Sequence, residues 1–306
     1  MNKFERKEVL YKGHKIMTYT FGDGPETLLL VSGGPGCPCN FLRDTHENYT
    51  KMGLRVVTWD QLGCGESDSI DDPSFWEIDR FVDEVEHVRT SLNLGNIHLL
   101  GQSWGGVLGL EYILRYPHAV KTFIITSSAF NIPMMQRGFE RHKAALGHET
   151  TLMMAMREGN GTTNHPEYQA AYTLLAYRHI CRFPEWPECL IASMKISKKM
   201  LSKIFGKYLF NCTGLLRNYD RTSDLHQISQ PCLIIHGEYD YIVSECATLS
   251  RDYLPSAELQ ILKNCSHHTF LEDPQSYHKI LGSFLSKHSN KNKASIKASK
   301  DTPVSI

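Results

Sequence analysis

Apolar residues follow two alternating rhythms over the first 130 positions of this chain. Continuous runs at Thr27-Leu28-Leu29-Leu30-Val31, Arg55-Val56-Val57-Thr58-Trp59, Ile97-His98-Leu99-Leu100 and Thr122-Phe123-Ile124-Ile125-Thr126 predict strands buried on both faces. Between them, Phe81, Val85, Val88 and Leu92 recur at helical spacing, and Val107 to Tyr116 is a second helical stretch. Val9 to Tyr19 reads as two short strands around a turn at Lys12-Gly13, closed by Gly22-Asp23-Gly24-Pro25. Strands separated by helices predict an α/β fold with a mostly parallel sheet and right-handed crossovers.

The alternation then stops. Residues 131–225 are mostly helical segments rich in Met, Lys and aromatics, with a loop at Gly159-Asn160-Gly161-Thr162-Thr163. After them, Pro231-Cys232-Leu233-Ile234-Ile235-His236 and Glu258-Leu259-Gln260-Ile261-Leu262 restore runs that predict buried strands, and Tyr277 to Lys287 predicts a closing amphipathic helix. The chain therefore divides into a core of 1–130 and 226–287, with a helical cap of 131–225 inserted between the sixth and seventh core strands. Residues 288–306, rich in Lys, Ser and Asn, are expected to be a disordered, solubilising tail.

Composition narrows the function classes. The 306 residues carry 33 Lys+Arg against 33 Asp+Glu, a net charge of zero, which argues against nucleic-acid and membrane-surface partners. No apolar run reaches the ~18 residues of a membrane span, and the opening Met1-Asn2-Lys3-Phe4-Glu5-Arg6 leads into no hydrophobic signal segment. The nine cysteines lack C-x-x-C spacing; Cys37-Pro38-Cys39 has no matching pair, so reduced thiols in a cytoplasmic protein with no metal site are expected.

The chemistry concentrates where strands end. Leu99-Leu100-Gly101-Gln102-Ser103-Trp104-Gly105-Gly106 sets Gly-x-Ser-x-Gly between a strand and a helix, the context of a nucleophile elbow that presents Ser103. A nucleophilic serine needs a base and an orienting acid, which follow in the order Ser, acid, His in such folds. His236-Gly237-Glu238-Tyr239-Asp240 ends a strand, and Asp240 is the candidate acid with Glu238 its rival. Cys265-Ser266-His267-His268 follows the last strand; His267 is the candidate base, and His268, the alternative, otherwise reads as a partly exposed loop residue. Ser127-Ser128-Ala129, before the cap, offers no carboxylate. Two backbone N–H groups should form the oxyanion hole: that of Trp104, and that of Gly34 in Ser32-Gly33-Gly34-Pro35-Gly36. That loop has neither P-loop nor dinucleotide spacing, so a phosphate cradle is disfavoured.

These motifs, with Asp60-Gln61-Leu62-Gly63-Cys64-Gly65-Glu66-Ser67 and the cap's His179-x-Cys181-Arg182 and Trp186-Pro187, resemble the prolyl aminopeptidase (proline iminopeptidase) family of α/β hydrolases from about Tyr11 to Lys287. The resemblance implies a cofactor-free serine hydrolase that releases N-terminal residues from short peptides or amino-acid amides. Three departures stand out. Ser32 replaces the usual His of the oxyanion loop, and Leu62 replaces an Arg, which would remove an ion pair. Where the family binds the substrate's α-ammonium with carboxylates, this chain has Leu209, beside Tyr208, and Tyr241.

A buried ammonium without a counter-charge is costly. Either the pocket takes a neutral acyl group, or another acid such as Glu185 or Glu188 supplies the charge. The leading expectation is an amide or peptide hydrolase acting on a small molecule or short peptide. An esterase, thioesterase or tailoring acyl hydrolase is the alternative within the same chemistry, and a lyase or cyclase could use the same residues. A silent ligand-binding scaffold is disfavoured by the complete Ser–Asp–His set. Asp-nucleophile epoxide hydrolases and dehalogenases are disfavoured by Ser103. Oligomeric state is not legible.

Overall fold

The apolar runs assemble into one eight-stranded sheet in a computed structural model that describes residues 4–289. Its strands are β1 (Glu5–Tyr11), β2 (His14–Phe21), β3 (Glu26–Val31), β4 (Leu54–Trp59), β5 (Ile97–Gln102), β6 (Val120–Thr126), β7 (Cys232–Gly237) and β8 (Ala257–Leu262), in the spatial order β1-β2-β4-β3-β5-β6-β7-β8. The β1–β2 hairpin joins β4 antiparallel, and every pairing from β4 to β8 is parallel. This is an α/β-hydrolase fold, as the alternating rhythms predict.

Successive residues of a strand point to opposite faces. Leu29, Leu99 and Ile125 accordingly join one apolar cluster, and Leu28, Leu30, Leu100 and Ile124 join the other. The first is covered by α2 (Ile78–Ser91), α3 (Trp104–Arg115) and α9 (Ser244–Tyr253). The second lies under α1 (Asn40–Arg43), α10 (Thr269–Glu272) and α11 (Pro274–His288). Complete burial of both faces is why these strands read as continuous apolar runs. Each fully buried Leu contributes about 2 kcal/mol on transfer from water.

Between β6 and β7 the chain leaves the sheet as the helical cap: α4 (Ile132–Ala144), α5 (His148–Gly159), α6 (Pro166–His179), α7 (Glu188–Ser193) and α8 (Lys198–Ile204). Asn131 caps α4, its side chain accepting from the Met134 N–H at 2.8 Å. One expectation fails. β8 is an edge strand in which only Leu262 is buried, because among the described residues nothing pairs beyond it. The expected tail lies outside the described residues from position 290 onward. Among the described residues, no helix is long and apolar enough to cross a membrane.

Candidate active site

Ser103 is the single residue between β5 and α3, and its backbone takes φ 55° and ψ −119°. A non-glycine residue there costs on the order of 1–3 kcal/mol, so the surroundings must enforce it. They do so through the backbone: Ser103 N–H donates to Thr126 O (2.9 Å), while Ser103 O accepts from Gly106 N–H (2.8 Å) and Ser128 Oγ (2.8 Å). The glycine at 105 follows from the same crowding, because a Cβ there would run into the Val31 carbonyl. The turn leaves the Ser103 hydroxyl on the floor of a cavity.

Asp240 and His267 meet from the loops after β7 and β8, His267 lining the cavity and Asp240 buried behind it. Asp240 Oδ1 accepts from His267 Nδ1 (2.8 Å) and from the Ile242 N–H (2.9 Å). Its Oδ2 is sealed without a hydrogen-bond partner, 3.8 Å from His236 Nε2. Burial alone would raise the Asp240 carboxyl; the His267 and His236 imidazoles and the two hydrogen bonds outweigh it and hold the group below its ordinary range. With Nδ1 donating to Asp240, His267 Nε2 carries the lone pair, which accepts from the Gln102 amide Nε2 at 3.1 Å. The Ser103 hydroxyl lies 3.4 Å from the Tyr241 hydroxyl. Glu238 is elsewhere: it is exposed and accepts from the Asn264 N–H.

The two proposed oxyanion donors and Ser103 share a second, small cavity of about 20 Å³. Gly34 reaches it at φ 121°, a left-handed conformation that favours glycine. Its N–H has no acceptor among the described residues. Trp104 is the first residue of α3, so its N–H has no intrahelical carbonyl to bond.

The larger cavity, about 390 Å³, lies between sheet edge and cap, and Tyr208, Leu209 and Tyr241 all line it. Among the described residues no carboxylate does, and Lys207 is the only Lys or Arg among the lining residues. Glu185 and Glu188 are therefore not pocket acids. Burial keeps the Tyr241 phenol protonated by pushing it up, and its ring stands 4.4 Å from that of His267.

Sequence reasoning missed a buried carboxylate in the cap, Glu158, which is bound by Lys143 Nζ (2.9 Å), Tyr168 OH (3.1 Å) and Asn211 Nδ2 (3.1 Å). Its partner Lys143 is 15 residues away on another helix, a separation that no local spacing rule pairs. His268 is corrected too. It is 3% exposed, packed against Phe41 and Phe270, with Nδ1 unpartnered and burial holding the imidazole well below its ordinary range. Leu62 is fully buried, and the nearby Glu84 takes its N–H and pairs with Arg80. Ser32 Oγ is buried without a partner, while its carbonyl accepts from Gln61 Nε2 at 3.0 Å.

Residues 26–274 match the family model described as alpha/beta hydrolase fold. The proline iminopeptidase of Heyndrickxia coagulans is 30% identical over 272 residues, covering 86% of this chain and 91% of the relative. The chain belongs to the proline iminopeptidase family of α/β hydrolases. A crystal structure of the Mycobacterium smegmatis proline iminopeptidase superposes with a TM-score of 0.85 at 27% identity, covering 93% of this chain and 98% of that one. The crystal structure of VinJ gives a TM-score of 0.88 at 25% identity, covering 93% and 99%. Family membership supports hydrolase chemistry; the acid-free cavity is where this chain departs from the features that the resemblance implied.

Proposed function

We propose that the protein is a serine hydrolase that cleaves an amide or peptide bond through an acyl-enzyme. The observation that carries this reading is the buried Asp240–His267 hydrogen bond beside a serine held in a strained elbow. When a substrate carbonyl enters, the Ser103 O–H replaces the Gln102 amide at His267 Nε2. Ser103 Oγ then bonds to the carbonyl carbon, and its proton moves to Nε2. Asp240 stabilises the resulting imidazolium, and the Gly34 and Trp104 N–H groups take the oxyanion. Collapse breaks the bond to the leaving amine, which departs with the proton from Nε2. Water, deprotonated by His267, hydrolyses the ester on Ser103 by the same steps in reverse. None of these steps calls on a cofactor.

A second reading concerns the substrate. With no carboxylate lining the cavity, an α-ammonium would be buried without a counter-charge, so the pocket better fits a neutral acyl group, as an ester or an acylated amine. The nine cysteines, none in a disulfide, fit a reducing compartment such as the cytoplasm.

One experiment tests both readings. Turnover of prolyl and other aminoacyl arylamides is compared with that of their N-acetyl forms and of aryl esters, alongside labelling by a fluorophosphonate. Fast release from free-amino arylamides establishes an aminopeptidase and overturns the neutral-acyl reading. Turnover of esters or N-acyl compounds alone establishes the neutral-acyl hydrolase. No turnover, with no phosphonate on Ser103 in folded protein, overturns the hydrolase reading in favour of a silent scaffold.

A further inference from the structure

The cap motif His179-x-Cys181-Arg182 takes no part in the acyl transfer described above, yet its contacts converge on the two loops that perform it. His179, the last residue of α6, donates from Nδ1 to the Tyr239 carbonyl at 2.8 Å. Its own carbonyl accepts from the Tyr241 N–H at 3.0 Å. One cap residue thus holds the backbone on both sides of Asp240. Three residues on, the Arg182 guanidinium stacks over the Tyr239 ring at 4.2 Å. The Arg182 N–H donates to Glu272 Oε1 at 2.6 Å, and Glu272 Oε2 accepts from the Ser266 N–H at 2.6 Å. Ser266 is the residue before His267.

The segment also reaches the substrate. Ile180 lines the large cavity, as does Trp186, whose indole N–H donates to the Cys181 carbonyl at 3.1 Å. The core ties the two loops directly through the Tyr239 N–H and the Cys265 carbonyl, 2.8 Å apart. The Asn264 N–H adds a bond to Glu238 Oε2 at 2.9 Å; the cap adds a further tie, and this one touches the cavity.

We propose that residues 179–182 form a buckle that sets the separation of the Asp240 and His267 loops. His179 and Glu272 are its positioning residues; neither touches the reacting atoms. Two loops from different strands must keep a 2.8 Å hydrogen bond, and a displacement of about 1 Å in such a constellation can cost 100-fold in rate. The proposal rests on the serine-hydrolase reading, but part of its test does not.

The test uses the whole chain with His179→Ala, His179→Asn and Glu272→Ala. The Asn amide nitrogen can replace imidazole Nδ1 as donor to Tyr239, whereas Ala cannot. In His179→Ala and Glu272→Ala, kcat and the rate of fluorophosphonate labelling should fall about 10- to 100-fold with KM changed far less. His179→Asn should recover most of the loss. In resting protein, the low-field NMR proton of the Asp240–His267 hydrogen bond, identified by its loss in Asp240→Asn, should broaden or move upfield in His179→Ala. It should return in His179→Asn. A His179→Ala variant with wild-type kcat and an unchanged low-field proton overturns the buckle. So does an Asn variant as impaired as the Ala variant with an equal loss of thermal stability, which would mark a merely structural residue. Absence of turnover and labelling in the wild type overturns the hydrolase reading instead, and the NMR comparison then still decides the buckle.

Discussion

The floor and the roof of the cavity are built on different principles. On the floor, Ser103, Asp240 and His267 each stand on a short loop directly after a parallel strand, where the sheet fixes the backbone to a fraction of a residue. On the roof, Tyr168, Tyr208 and Leu209 come from helices and irregular segments of the cap, and the charge behind them is spent internally, Glu158 on Lys143. Reaction chemistry can therefore be kept while recognition changes. A floor residue has one geometry in which it works, whereas a roof residue needs only to fill space and satisfy its neighbours.

The sharpest break of this comparison is at the floor. Ser103→Ala should lower kcat on the order of 10⁶-fold, and Asp240→Asn about 10⁴-fold, while ligand binding in the cavity persists. Steady-state kinetics with a binding assay checks this; a Ser103→Ala variant with substantial turnover would move the nucleophile elsewhere.

On the roof the largest effect should be on stability. Glu158→Gln leaves Lys143, only 11% exposed at its side chain, without its counter-charge, and removal of one partner of a buried pair costs about 3–5 kcal/mol. Urea unfolding should show it. Glu238→Gln, at an exposed position, should stay within about 0.5 kcal/mol.

Acid should act through the core beneath the floor. Burial lowers His98 to about 4 against the opposing pull of the Glu26 carboxylate, 3.8 Å from its Nε2. The folded value lies below the unfolded one, so the unfolded chain binds the proton first. Stability is then full above about pH 6.5 and is lost as pH falls toward 4, by about 3 kcal/mol for this residue. His46, lowered to about 3 by burial, adds to the same trend. Unfolding midpoints between pH 7 and 4 check the slope, which should be shallower in His98→Leu.

The gentlest test returns a charge to the roof. Leu209→Glu places a carboxylate at the cavity wall and should raise kcat/KM for free-amino arylamides about tenfold relative to their N-acetyl forms, roughly the 1.4 kcal/mol of a weak, partly solvated ion pair. An unchanged ratio would mean that position 209 does not meet the amino group.

What could be read ahead of the structure follows the same division. Buried strands announced themselves as continuous apolar runs, and the elbow by glycines that a crowded strand-to-helix turn requires. The candidate base and acid could be paired ahead of the structure because strand ends of a parallel sheet share one edge. The exposure of β8 was not legible, since an apolar run does not say whether another strand lies beyond it. The burial of His268 was hidden as well, because Phe41, which helps enclose it, comes from the other end of the chain.

The sequence by itself determined the sheet, the place of the cap and the choice of Ser103, Asp240 and His267 as candidates, because periodicity and turn chemistry act over a few residues. Only the tertiary structure decided that, among the described residues, no acid lines the cavity, that Glu158 is taken by Lys143, and that His179 and Glu272 bond to the loops carrying Asp240 and His267. Those outcomes depend on which distant segments come into contact. Packing and burial settle that, and no spacing along the chain encodes it.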